Sequence, residues 1–125
     1  MELSRIGVRY INRIDVPSDA ADRVRLEDYL TIYPQMPNGP PMLGYIMQVL
    51  RDVGEDNCRL IINSGSVVSP LIGFVSFLLD LDVFRENDLP RRDEELWKFI
   101  DRMREHKNQI FESCITQQAR TIFDR

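Results

Sequence analysis

The chain has 125 residues, with 16 Lys and Arg against 20 Asp and Glu, one His and a formal net charge of -4. That length suits one domain with one ordinary core, and 43% hydrophobic with 29% charged residues suits a folded chain rather than a disordered one. The acidic balance argues against a dedicated DNA binder, two cysteines (Cys58 and Cys114) make no disulfide framework, and nothing suggests secretion or a membrane helix.

Residues Arg5 to Val16 alternate with period two. Ile6, Val8, Tyr10, Ile14 and Val16 fall on one face, interrupted only by Asn12; Arg5, Gly7, Arg9, Arg13 and Asp15 fall on the other, with Ile11 the exception. This predicts a long strand with one dry face, ended at Pro17. A short helix is expected around Leu26 to Leu30. Pro34 to Pro41 holds four prolines in eight residues and reads as a loop connecting two core elements. Met42 to Val53 is expected to be a second strand, with Leu43, Tyr45, Met47, Val49 and Val53 on one face and Ile46 and Leu50 on the other. Gly54-Glu55-Asp56-Asn57 then supplies a hairpin loop. Cys58 to Asn63 reads as a third strand, Ser64 to Pro70 as a second loop, and Leu71 to Phe84 as a fourth strand. The last is apolar on both faces until Asp80, which suggests an interior strand covered on both sides.

The carboxyl third changes period. Asp88-Leu89-Pro90 resembles a helix start, and Asp93, Glu94 and Glu95 place negative charge where the helix dipole favours it. Leu96, Phe99, Ile100, Met103, Ile110, Phe111 and Cys114 follow a 3.6 period. A helix from Pro90 to Glu112 would be about 34 Å long. A break is expected within Ser113 to Thr116, with Thr116 capping a last short helix. The order strand, short helix, three strands, long helix indicates an α+β fold: a four-stranded antiparallel sheet with the long helix packed on one face.

Several stretches carry a resemblance: Arg5 through Ile14, Tyr29 with Tyr33-Pro34, Leu79 through Phe84, and Phe111 through Thr116. In these the chain resembles the C-terminal half of a sporadically distributed bacterial protein family without an assigned activity. The resemblance implies a TATA-binding-protein-like half and a cytoplasmic address, and hands over no catalytic residue. A lone half leaves an exposed strand edge, and such edges pair with something, so a homodimer is expected, the alternative being a monomer with a shielded edge.

Two groups of side chains are candidate binding residues. Arg5, Arg9 and Arg13 share one strand face and span about 26 Å. They could track an anionic backbone or an acidic partner, or simply pair with acidic neighbours and discourage edge association. Asp80 and Asp82 alternate on one face of the fourth strand. They could share a divalent cation, or could face arginines of a neighbouring strand. His106, the lone histidine, reads as packed or solvated, and Cys114 as a small buried hydrophobe. No phosphate loop, paired CxxC, nucleophile elbow or HExxH occurs, and no catalytic residue, cofactor or metal is implied. The leading expectation is a non-enzymatic protein-interaction or dimerisation module. The alternative is a nucleic-acid-associated protein using Arg5, Arg9 and Arg13, and the third is a metal-dependent enzyme centred on Asp80 and Asp82.

Overall fold

In the computed structural model, which describes residues 4–18, 25–39 and 42–123, the alternating amino-terminal run forms β1, Ile6–Pro17. A single 3-10 turn follows at Leu26–Asp28, shorter than the helix expected there. Three further strands come next, β2 (Ile46–Asp52), β3 (Arg59–Val67) and β4 (Phe74–Arg85), then α1 (Asp93–Cys114) and α2 (Gln117–Phe123). The four strands form one antiparallel sheet in the order β1-β4-β3-β2, so β1 and β2 are its two edges. The fold class is the expected one.

Four boundaries differ from expectation, each for a local reason. β2 begins at Ile46 rather than Met42, because the Tyr45 amide bonds the Ser66 hydroxyl (3.1 Å) instead of a backbone carbonyl. β3 continues through Ser64 to Val67, although Ser-Gly-Ser reads as loop. The buried Ser64 hydroxyl donates to the Leu78 carbonyl at 2.8 Å and shares a bond with the Tyr45 hydroxyl at 2.9 Å, so a polar side chain is satisfied inside the ladder. β4 begins at Phe74 rather than Leu71, after Gly73 at φ +82, and is interior as expected, but only one of its faces lies under a helix. α1 begins at Asp93 rather than Pro90: Asp88 sits at φ +54, and Arg92 precedes the helix without a side-chain cap. Pro40 and Pro41, the end of the proline-rich loop, lie outside the described residues.

The core fills the side facing α1. Ile14, Val16, Leu60, Phe77, Leu79, Leu81, Val83, Phe99 and Met103 are fully buried there. Removing such a side chain from water is worth about 1.5–3 kcal/mol each. Tyr10 reaches α1 at the rim, its ring meeting Phe111 edge-on at 5.1 Å. The helix packs chiefly over β1 and β4. Its end is locked to the 3-10 segment: Thr31 N–H donates to the Cys114 carbonyl (2.9 Å), Thr116 N–H to the Tyr29 carbonyl (3.0 Å), and Leu30 bridges Ile115. Ile115 is extended, which breaks the helix where expected, and the Thr116 hydroxyl accepts from Ala119 N–H at 3.2 Å.

Candidate functional site: the open face of the sheet

Residues directly opposite in an antiparallel ladder share a face. The register therefore places Arg5, Arg9, Ile11, Arg13 and Asp15 of β1 with Ser76, Leu78, Asp80, Asp82 and Phe84 of β4 on the side away from α1. Ile61, Asn63 and Val67 of β3 and Ile46, Gln48 and Leu50 of β2 continue that face.

The structure brings all five sequence-identified binding residues together on this face and pairs them. Arg9 grips Asp80 with both ends of its fork, Nε at 3.0 Å and Nη2 at 2.7 Å. Arg5 Nη2 donates to Asp82 at 2.7 Å, and its guanidinium lies over the Phe84 ring at 4.4 Å. Arg13 donates to Asp15 of its own strand at 3.1 and 3.2 Å, and Asp15 also accepts from the Ser76 hydroxyl. The hydrogen bond and charge of Asp80 raise the Arg9 pKa above its ordinary value. Gly7 makes room for this lattice: a Cβ there would sit 3.1 Å from the Asp82 carboxylate and 3.4 Å from Arg5. The result is a neutralised lid over β1 and β4. Among the described residues it buries Ser76, Asp80 and Phe84 without a second layer of backbone elements. An arginine stripe interrupted at each step by a carboxylate is a poor anion track, and carboxylates already held by guanidinium groups are poor cation ligands.

The lid stops at β4. On the β3–β2 half the same face carries Leu50, 63% exposed, and Ile46, 95% exposed. Gln48 donates to Asn63 across the strands at 2.8 Å, and Arg59 pairs with Asp52 at 3.8 Å at the end of the ladder. Just before β2, Leu43 is also fully exposed.

A second cluster lies on the α1 side. In the β2–β3 turn, Asp56 and Asn57 sit at φ +54 and +52, the left-handed region that type I′ hairpins need and that Asp and Asn tolerate best. This aims Asp56 at α1, where Arg102 Nε donates to Oδ1 at 3.0 Å and His106 Nε2 to Oδ2 at 2.7 Å. The His106 bond, followed by the charge of Arg102, outweighs partial burial and holds the Asp56 carboxyl below the usual carboxylate range. Glu55, Asp56 and His106 place one donor atom each within 4.8 Å of one another, the one such grouping among the described residues. Both Asp56 oxygens are already bonded within the chain, so the geometry is that of a clasp pinning the hairpin to the helix. Beside it a cavity of about 240 Å³ opens between hairpin and helix, lined by Arg51, Val53, Glu55, His106, Gln109, Ile110 and Ser113. Sequence reasoning missed this cluster. One usable signal was present: Arg102 and His106, four apart, face the same way on a helix. Their carboxylate partner, about fifty residues away, was not marked.

Cys58 and Cys114 are buried and unpaired, and burial pushes both thiols up, away from the reactive thiolate. Among the described residues no helix is long and apolar enough to cross a membrane. Comparison with family models, curated proteins and solved structures gives no match to this chain.

Proposed function

We propose that this chain is a non-enzymatic protein-interaction module that associates with a second copy of itself. One observation carries the reading: the charged lid covers only the β1–β4 half of the open face, leaving Ile46 and Leu50 bare at the opposite edge. Apolar side chains on a strand edge are costly in water and invite pairing. The arginine face supports a nucleic-acid role less well, because Arg5, Arg9 and Arg13 each hold a carboxylate. A bacterial, cytoplasmic setting belongs to the same proposal; it follows the family resemblance and is compatible with two unpaired buried thiols.

Light scattering across about 1–100 µM protein tests the reading. The expected mass climbs from 14.7 kDa toward twice that value. A constant monomer mass removes the proposal. A salt-sensitive shift of labelled DNA or RNA, lost in Arg9→Glu, would favour the nucleic-acid alternative instead.

A further inference from the structure

We propose that the two copies join edge to edge through β2, antiparallel, with the twofold axis passing through Gln48, so that two four-stranded sheets become one of eight. This rests on the self-association reading above and adds the surface, the register and the partner.

At one end of the β2–β3 ladder Ser66 N–H donates to the Tyr45 carbonyl at 3.0 Å; at the other, Val53 N–H donates to the Cys58 carbonyl at 3.0 Å. Between them the register runs unbroken from Ile46 opposite Gly65 to Asp52 opposite Arg59. Bonded residues alternate along an antiparallel ladder. The backbone groups of Met47, Val49 and Arg51 are therefore turned toward β3, and those of Ile46, Gln48, Leu50 and Asp52 point out of the sheet. These outward-bonding residues are the same ones whose side chains stand on the open face.

Side chains then select the register. A twofold axis normal to the sheet keeps each face on its own side. With the axis at Gln48, Ile46 lies opposite the partner's Leu50, Gln48 opposite the partner's Gln48, and Asp52 opposite the partner's Gly44. On the α1 side Met47 meets the partner's Val49. Ile46 with Leu50 and Met47 with Val49 are apolar pairs on the two sides of the sheet, Arg51 lies opposite the partner's Tyr45, and each outward N–H from Ile46 to Leu50 finds a carbonyl. Moving the axis to Val49 sets Ile46 against the partner's Asp52. Moving it to Leu50 sets Gln48 against that carboxylate and shortens the paired run. The other edge is less suited: two β1 strands centred on Ile11 would oppose Arg9 with the partner's Arg13, a like-charge pair. A seven-residue edge buries less than the roughly 1,200 Å² of a standard stable interface. The expected association is therefore reversible and concentration-dependent.

The test uses the full chain and two variants. Gln48→Pro deletes one outward N–H and leaves the inner ladder its donors, the placement an edge strand tolerates. Its far-ultraviolet spectrum and melting temperature should stay near wild type while its mass falls to 14.7 kDa at concentrations where wild type is dimeric. Gln48→Cys places two sulfurs across the axis at a Cα separation of about 5.5 Å, which a disulfide spans. It should crosslink to a dimer under mild oxidation, and the buried Cys58 and Cys114 should not. If wild type stays monomeric at about 100 µM, the self-association reading fails and this one with it. If wild type dimerises but Gln48→Cys does not crosslink, or Gln48→Pro remains a folded dimer, the β2 arrangement is overturned and self-association stands. Should Gln48→Pro fail to fold, the crosslink alone decides.

Discussion

The two halves of this sheet solve the same problem in opposite ways. β1 and β4 lie beneath α1 on one side and beneath an arginine–aspartate lattice on the other, so a single-layer sheet is covered twice except at Ile11, which stays exposed. β3 and β2 extend past the helix. β3 is buried on its inner face at Leu60 and Ile62 and half-buried on its outer face, whereas β2 is half-buried inside and carries exposed Ile46 and Leu50 outside, where β1 ends the sheet with arginines. Charge on an edge strand discourages pairing; on β2 the charged residues, Arg51 and Asp52, sit at one end and leave Ile46 to Leu50 uncharged. One edge is thus guarded and the other available, and each substitution below tests whether that asymmetry is real.

The largest effect should come from the anchored half. Ile14→Ala opens a cavity against Phe77 and α1 and should cost about 2–4 kcal/mol in urea unfolding. Val49→Ala on β2, only partly buried, should cost about 1 kcal/mol when measured on the monomer. Equal losses would mean that β2 is packed as firmly as β1, and the contrast would fail. Next comes the lid. Arg9→Met leaves Asp80, 8% exposed, without its guanidinium, and should destabilise clearly. Adding Asp80→Leu should restore most of the loss, because an apolar pair of similar bulk needs no compensating charge. If the double variant is as unstable as the single one, the lattice does more than cover β4. On the bare edge, Leu50→Lys should leave monomer stability within about 0.5 kcal/mol, since it replaces an exposed side chain. The same change should weaken self-association about tenfold or more.

How legible this contrast was in the sequence depends on the distance over which each signal acts. Period two over Arg5 to Val16 and period 3.6 over Leu96 to Cys114 are local, and both elements formed. The arginine–aspartate pairing was legible as one of two options for five residues, because strand alternation assigns faces before any partner is known. Strand ends were less legible. Ser64 to Val67 belong to β3 only because Tyr45 and Leu78 satisfy the Ser64 hydroxyl, and Tyr45 and Leu78 lie far along the chain. Two-sided apolarity in β4 correctly signalled an interior strand. The second cover proved to be arginine side chains rather than another layer, a role the methylene stems of long charged residues can fill. The hairpin clasp was invisible because Asp56, Arg102 and His106 meet only through tertiary folding.

That clasp supplies the smallest and finest test, since it is what ties the projecting hairpin to α1. Asp56→Asn keeps a residue that tolerates φ +54 and removes only the charge, so the turn itself is preserved. The pair is partly exposed and screened by solvent, so the loss should be about 0.5 kcal/mol. Its pH dependence has a definite sign. The folded carboxyl lies below its ordinary value, so its contribution is complete above about pH 4 and disappears as pH falls through the lowered folded value. Wild type should therefore be slightly more stable than Asp56→Asn at about pH 5.5, and the two should converge in stronger acid, once pH falls below the lowered folded value. Amide exchange in β2 and β3 should speed up in the variant, while exchange in β1 and β4 stays unchanged, because only the unanchored half relies on the clasp. A difference that persists into acid would mean that the carboxylate charge is not what ties the hairpin to α1. The hairpin would then be held by β3 without help from the helix, and β2 would be still freer to find a second copy.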